Sequence, residues 1–463
     1  MSDQPSLTGQ PTASPISSAS STMSAPDVTG PREVGVDTSV EPSTRRRVVA
    51  ASFIGNFVEW FDYAAYGYLA ATISTVFFPD TDRTTALLAT FVVFAVSFFV
   101  RPIGGFVWGH IGDKVGRRNA LSLSIVIMSV ATFCIALLPT YRAVGLLAPL
   151  LLLIVRIVQG FSASGEYAGA SAFLVEYAPP GRRGLYASVV PASTASGLLL
   201  GSLLAALLSG ILSDGQMHSW GWRLPFLLAA PMGLIGRYIR LRLEDTPAFR
   251  ALEEQQEVTP TPAKQMLRAN RRPLVLAMGA TVLNAVAFYM LLSYMPTYLS
   301  EELHFGATES FLTTTVSLAA YIACIFFTGL ASDRFGRKKM LITASLLFTV
   351  CTVPAFMLLD GAGLLTVIVI QVLLGGMLSL NDGTLPSFLA ELFPTRVRYS
   401  GFAISFNMAN AMFGGTAAFV ATLLISWTGS SLSPAWYLAV AALVSLWAVL
   451  SSKETSREPL RES

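Results

Sequence analysis

Unbroken apolar runs constrain this chain more than any other feature. Residues 86–109, 119–139, 143–165 and 185–212 are apolar all round. Each is long enough to cross about 30 Å of hydrocarbon as a helix. The strands of a transmembrane barrel alternate apolar and polar residues instead, so the runs predict an all-α integral membrane fold. Composition agrees: 53% of the 463 residues are hydrophobic and 13% are charged, against roughly 25% charged in a soluble domain. Cys134, Cys324 and Cys351 all lie in apolar runs, which argues against a disulfide framework. The three histidines show no metal-ligand spacing, and GxxxxGK[ST], HExxH and paired CxxC motifs are absent. No metal, cofactor or enzymatic activity is expected.

Residues 1–44 are rich in Ser, Thr and Pro and poor in aromatics, the composition of a disordered tail. No apolar core follows a basic start, so no signal peptide is expected. Twelve spans follow, near 48–78, 86–109, 119–139, 143–177, 185–212, 220–243, 273–300, 309–331, 339–359, 363–391, 397–426 and 432–452. A polar stretch, 244–272, separates six spans from six. The layout is therefore a tail 1–44, a bundle 45–243, a linker 244–272, a bundle 273–452 and a short tail 453–463. Of the 31 Lys and Arg residues, 25 are Arg45–47 just before the first span or lie in the even loops and their edges or after the last span. That bias places the linker and both termini in the cytoplasm, in a multi-pass protein of the cell inner (plasma) membrane. Arg101 and Arg156 lie inside spans.

The halves repeat at an offset of about 220 residues. Gly109-His-Ile-Gly-Asp113-Lys-Val-Gly116-Arg117-Arg118 recurs as Gly329-Leu-Ala-Ser-Asp333-Arg334-Phe-Gly336-Arg337-Lys338, in loops 2–3 and 8–9. Phe173-Leu-Val-Glu176-Tyr-Ala-Pro179, followed by Arg182-Arg183-Gly184, recurs as Phe388-Leu-Ala-Glu391-Leu-Phe-Pro394, followed by Arg398 and Gly401. Duplicated six-helix halves imply two pseudo-symmetric bundles about an axis along the membrane normal, with a substrate site between them near the midplane.

The GxxxD[KR]xGR[RK] pair resembles the major facilitator superfamily. Further stretches resemble its metabolite:H+ symporter family: Gly55-Asn56-Phe-Val-Glu59-Trp60-Phe61-Asp62-Tyr63, Arg101-Pro102-Ile-Gly104-Gly105, Gln159-Gly160-Phe-Ser-Ala-Ser-Gly165-Glu166-Tyr167 and Gly221-Trp222-Arg223-Leu-Pro225-Phe226. Within it, residues 243–249 and 289–300 look most like the proline/betaine transporters. Asn410-Ala-Met-Phe-Gly414-Gly415 looks at least as much like the α-ketoglutarate permeases. Some osmosensory members end in a long coiled-coil tail, and regulation by that route is not expected here.

Ionisable residues inside spans are expensive and therefore informative. In span one, Asn56, Glu59, Asp62 or Tyr63, and Tyr66 share a face. Span four repeats the spacing with Arg156, Gln159 and Glu166, and the resemblance implies that both spans face the central cavity. Glu59, Asp62 and Glu166 are the expected proton-coupling groups. Arg156 is then a partner for Glu59, Asp62 or a substrate carboxylate; Arg101 serves substrate, coupling or helix packing. The second half has no basic residue within its spans and offers Asn284, Tyr289, Tyr294, Asn381, Asp382, Asn407 and Asn410. Its tyrosines and Phe288, near an acidic first half, fit a cage for an ammonium group. The expected substrate-binding set is Arg101, Arg156, Gln159, Tyr63, Tyr66, Asn284, Tyr289, Tyr294, Asn407 and Asn410.

The repeated loops read as gates. Glycine permits close helix approach, and an aspartate at a helix end pairs with an arginine or a helix N-terminus. Asp113, Arg117, Arg118, Glu176, Arg183, Asp333, Arg334, Arg337, Glu391 and Arg398 are assigned to gating; a plain topology role is the simpler reading of the arginines. The expected function is proton-coupled uptake of a small zwitterion of the proline or glycine betaine type by alternating access. Symport of a mono- or dicarboxylate such as α-ketoglutarate is the alternative, and a non-transporting membrane sensor is the alternative from another class. Expected partners are a small-molecule substrate, protons and the lipid bilayer, with no nucleic acid, and the protein is expected to act as a monomer.

Overall fold

A computed structural model describes residues 42–79, 83–242, 245–254, 262–456 and 458–460. Twelve helical spans follow in order: α1 Pro42–Tyr68, α2 Arg83–Val115, α3 Arg117–Leu137, α4 Leu147–Tyr177, α5 Arg183–Ile211, α6 Leu224–Leu241, α7 Arg271–Glu301, α8 Ala307–Phe335, α9 Arg337–Leu359, α10 Leu364–Leu392, α11 Thr395–Thr428 and α12 Ser433–Leu450. Ten are long and apolar enough to cross a membrane by length and composition. The other two are α1, which carries Arg45–47, Glu59 and Asp62, and α6, which carries Pro231, Arg237 and Arg240. The outer faces of α8, α9 and α10 expose large apolar side chains, such as Phe327, Val350 and Leu365. That is a surface for lipid tails, since water would penalise it.

Each half packs its helices in the same pairs. In the first half α1 lies on α5, α2 on α4 and α3 on α6; in the second, α7 lies on α11, α8 on α10 and α9 on α12. The halves meet through α2 on α11 and α5 on α8, a pseudo-symmetric exchange of partners. A buried cluster including Trp108, Tyr167, Phe388, Tyr399 and Phe402 crosses that seam. Asn56 ties α1 to α5 by donating to Ser193 Oγ (2.9 Å) and the Val190 carbonyl (3.0 Å). Arg223 donates to the Ala136 (2.9 Å) and Leu138 (3.2 Å) carbonyls and so satisfies the C-terminus of α3.

The repeated GxxxD[KR]xGR[RK] segments are not loops. Asp113 and Asp333 lie in the last turns of α2 and α8, and Arg117 and Arg337 open α3 and α9. One glycine makes each connection, Gly116 at φ +106° and Gly336 at φ +100°. That backbone region excludes most side chains, so both reversals need glycine.

Other boundaries also move. Residues 42–44, assigned to the tail, begin α1, because Pro at a first turn is preorganised for helix; residues 1–41 lie outside the described residues. The stretch 244–272 is not simply a linker. It holds helices Pro247–Glu254 and Pro262–Ala269, and Phe249, Ala263 and Met266 are buried; Glu244 and residues 255–261 lie outside the described residues. The seventh span, α7, begins at Arg271 instead of 273. In α7 and α11 the α-helix opens into π turns at Met290–Tyr294 and Asn410–Gly414, a distortion frequent at functional sites.

Candidate functional site

Two buried ion pairs hang from one face of α1. Glu59 Oε1 accepts from Arg101 Nη2 at 2.9 Å, and Asp62 Oδ2 lies 3.3 Å from Arg156 Nη1. Gln159 completes the second pair. Its Nε2 donates to Asp62 (2.8 Å) and Thr132 (2.7 Å), and its Oε1 accepts from Arg156 (2.9 Å). All four charged groups are at most 2% exposed. The Tyr63 ring lies between the guanidiniums, 4.7 Å from Arg101 Cζ and 5.1 Å from Arg156 Cζ. Tyr66 covers Arg156 at 4.3 Å and donates to the Thr90 carbonyl. Removing two charges from water is tolerable only with such close compensation. The three-residue spacing of the carboxylates therefore hangs both charges from one helix face, and each finds its own arginine. Glu166 is buried in α4, close enough to Glu59 to repel its charge.

The cavity lies beside these pairs. It lies between the halves and is collapsed in this closed conformation, with about 10 Å³ of free space, room for one water. The first half lines it with Trp60, Tyr167, Pro191 and Thr194. The second half contributes Asn284, Phe288, Tyr289, Asp382, Phe406 and Asn410. Trp60 meets Phe288 edge-on at 5.1 Å, and Tyr167 stacks on Phe406 at 4.3 Å. Arg101 Cζ is 5.9 Å from the Trp60 ring, one side chain behind the wall. Of the residues expected to bind substrate, Asn284, Tyr289 and Asn410 line the cavity. Tyr294 does not: its hydroxyl bonds Thr422 at 3.0 Å. Asn407 is a seam residue, donating to the Ser164 carbonyl of α4 at 2.7 Å. Pro191, Thr194 and Phe406 were not singled out in the sequence, and Trp60 and Tyr167 were named only within motifs and not assigned to binding. A burial pattern cannot separate a cavity wall from core packing, and only the GNFVEW and GEY motifs drew the eye to Trp60 and Tyr167.

One face of the molecule carries the α2–α3, α4–α5, α8–α9 and α10–α11 connections and is shut by a symmetric lock. Asp113 accepts from backbone N–H groups in the first α-helical turn of α11, which begins at Arg398 after a 3-10 turn: Tyr399 (3.2 Å) and Ser400 (2.7 Å). Asp333 does the same for α5, at Gly184 (2.7 Å) and Leu185 (2.9 Å). Each aspartate thereby caps a helix of the opposite bundle. Arg398 reaches Glu176 at 2.7 Å, and Arg183 reaches Glu391 at 3.5 Å, again across the seam. Within each bundle Arg117 joins Asp113 and Glu176, and Arg337 joins Asp333 and Glu391. The Arg118 side chain turns to Asn119, and the Arg334 guanidinium lies over Phe335.

A third repeat has no visible sequence signal. Asp245, after α6, accepts from the Arg117 (3.0 Å) and Thr246 (2.9 Å) backbone N–H groups. Glu454, after α12, accepts from those of Arg337 (2.9 Å) and Thr455 (3.0 Å). The adjoining threonines hydrogen-bond the lock glutamates, Thr246 with Glu176 and Thr455 with Glu391 (2.7 Å). Burial pushes the Asp245 carboxyl above its usual range. For Glu454 burial acts the same way, but the backbone N–H groups of Ser456, Arg337 and Lys338 outweigh it and hold the carboxyl low.

Comparison with known proteins agrees with this architecture. A sequence model of the Major Facilitator Superfamily matches residues 52–313 and 277–463. The chain is 37% identical to the glycine betaine/proline/ectoine/pipecolic acid transporter OusA of Dickeya dadantii, covering 92% of this chain and 86% of that protein. It is equally similar, over the same shares, to the proline/betaine transporter of Escherichia coli K12. A putative proline/betaine transporter of Staphylococcus aureus is 36% identical over 88% of this chain and 87% of its own. Among solved structures, the proton:xylose symporter XylE bound to 6-bromo-6-deoxy-D-glucose superposes with TM-score 0.77 at 17% identity, covering 91% of this chain and 98% of that one. The inward open form of XylE from E. coli gives 0.63 at 16% identity, covering 90% and 98%. Twelve helices in two paired bundles, the repeated lock and these matches lead to one conclusion: the chain belongs to the Major Facilitator Superfamily.

Proposed function

We propose that the protein is a secondary active transporter that takes up a small zwitterion, of the proline or glycine betaine type, together with protons. The observation that carries this reading is the central cavity, walled by aromatic rings from both halves and closed on the lock face. The lock face is the basic one, and the positive-inside bias makes it cytoplasmic. Alternating access then consists of parting the Asp113–α11 and Asp333–α5 caps, while the cavity closes on the other side.

Coupling follows from competition for the arginines. In the closed molecule Glu59 and Asp62 hold Arg101 and Arg156. A proton on either carboxyl removes its charge and releases its arginine. Arg101, directly behind Trp60, is then available to a substrate carboxylate. Proton and substrate favour each other's binding, which is symport.

A dicarboxylate fits less well. Its second carboxylate would meet Asp382, which lines the cavity with a negative charge of its own. Uptake of labelled glycine betaine into proteoliposomes, challenged with amino acids, betaines and carboxylates, tests the substrate class. Betaines and proline compete on this reading. Competition by α-ketoglutarate, with none by betaine or proline, would reverse it.

A further inference from the structure

Asp382 is the unusual charge of this molecule. It is fully buried at the end of the first segment of α10 and lines the central cavity. Its oxygens accept from neutral donors, Asn284 Nδ2 at 2.7 Å and the Tyr321 hydroxyl at 2.7 Å. Among the described residues no lysine, arginine or histidine lies within ion-pair distance of it. Glu59, Asp62, Asp113, Glu176, Asp333 and Glu391 each have an arginine. An embedded carboxylate without a cation is costly. Two fixed donors orient it but supply no positive charge.

The walls around it are aromatic. Trp60, Phe288 and Tyr289 form one group of touching rings, and Tyr167 stacks on Phe406. A carboxylate among ring faces suits an organic cation, because both attract diffuse positive charge and the rings cost little to desolvate. The guanidiniums stand away from this carboxylate, behind Trp60 and Tyr63.

We propose that Asp382, with the rings of Trp60, Phe288, Tyr289, Tyr167 and Phe406, is the subsite for an ammonium group of the transported solute. This rests on the transporter reading and fixes the solute's orientation: ammonium toward α10, carboxylate toward α1 and α2. A secondary ammonium donates hydrogen bonds to Asp382. A quaternary one, with no N–H, packs against the rings and is held by charge alone.

The test uses the purified full-length protein and measures binding by the fluorescence of its tryptophans. The probes are glycine betaine, proline, choline and succinate. Asp382→Asn is expected to weaken the ammonium-bearing probes about tenfold or more, the size of a lost charge-assisted contact, while Asp382→Glu retains most of their binding. Ammonium binding unchanged in Asp382→Asn would overturn the proposal, as would a wild-type protein that binds succinate alone or none of the four. These readings need no ion gradient, so failure of proton coupling leaves them intact. A second measurement avoids the mutants. Carbodiimide labelling of wild-type Asp382, read by mass spectrometry, should be prevented by glycine betaine and not by succinate. Equal labelling with and without betaine, or none at Asp382 in any condition, contradicts the proposal.

Discussion

Glu59 and Asp62 illustrate how a membrane interior treats charge. They are three residues apart on α1, and each is neutralised by an arginine from a different helix. Removing one partner strands the other. Glu59→Gln should therefore destabilise the protein by about 3–5 kcal/mol, and replacing Arg101 with Met in the same chain should recover most of that loss. Thermal unfolding of the two variants in detergent checks it; an additive second loss would refute the pairing. Asp62→Asn should abolish accumulation while leaving solute exchange, because exchange needs no net proton movement. Equal loss of both activities would make Asp62 structural. The sequence already placed Glu59, Asp62, Arg101 and Arg156 in the membrane, since charge is so scarce there. It left the pairing of arginines with carboxylates open, because pairing depends on how α2 and α4 lean on α1. Asp382 was visible as an intramembrane acid, but its lack of a cation became apparent only from its surroundings.

At the scale of elements, the helix ends carry the information. Gly116 and Gly336 each reverse the chain in one residue, and Asp245 and Glu454 then cap the helices that start there. The two caps respond to acid differently. The Glu454 carboxyl is held below its ordinary value of 4.5. Its contribution to the start of α9 is thus present above pH 4.5 and is lost as pH falls through the lower, folded value. Hydrogen exchange at the Arg337 and Lys338 amides should accelerate on acidification, and Glu454→Gln should flatten that dependence. An unchanged pH profile in the variant would show that the cap is held by other groups. The GxxxD[KR]xGR[RK] repeat was legible because its glycines and charges are dictated by backbone conformation and capping. The Asp245-Thr246 and Glu454-Thr455 repeat was not, since two residues carry no periodicity and their partners lie between 64 and 128 residues away.

For the whole molecule, hydropathy and basic-residue bias were enough to give the twelve spans. They could not reveal the cavity wall, which is assembled from α1, α4, α5, α7, α10 and α11 only after the bundles meet. The closed lock predicts a conformational bias. Asp113→Asn with Asp333→Asn weakens both cross-bundle caps and should move spin labels on α2 and α11, at their lock-face ends, further apart. An unchanged distance distribution would remove these caps from the gate. The central claim is that proton binding drives the solute through this cavity. Its most direct measurement is glycine betaine uptake by proteoliposomes under an imposed inward proton gradient. The account predicts accumulation above the outside concentration that disappears when a protonophore is added. Accumulation that is unaffected by the protonophore, or uptake that only equilibrates the two sides under the gradient, would contradict it.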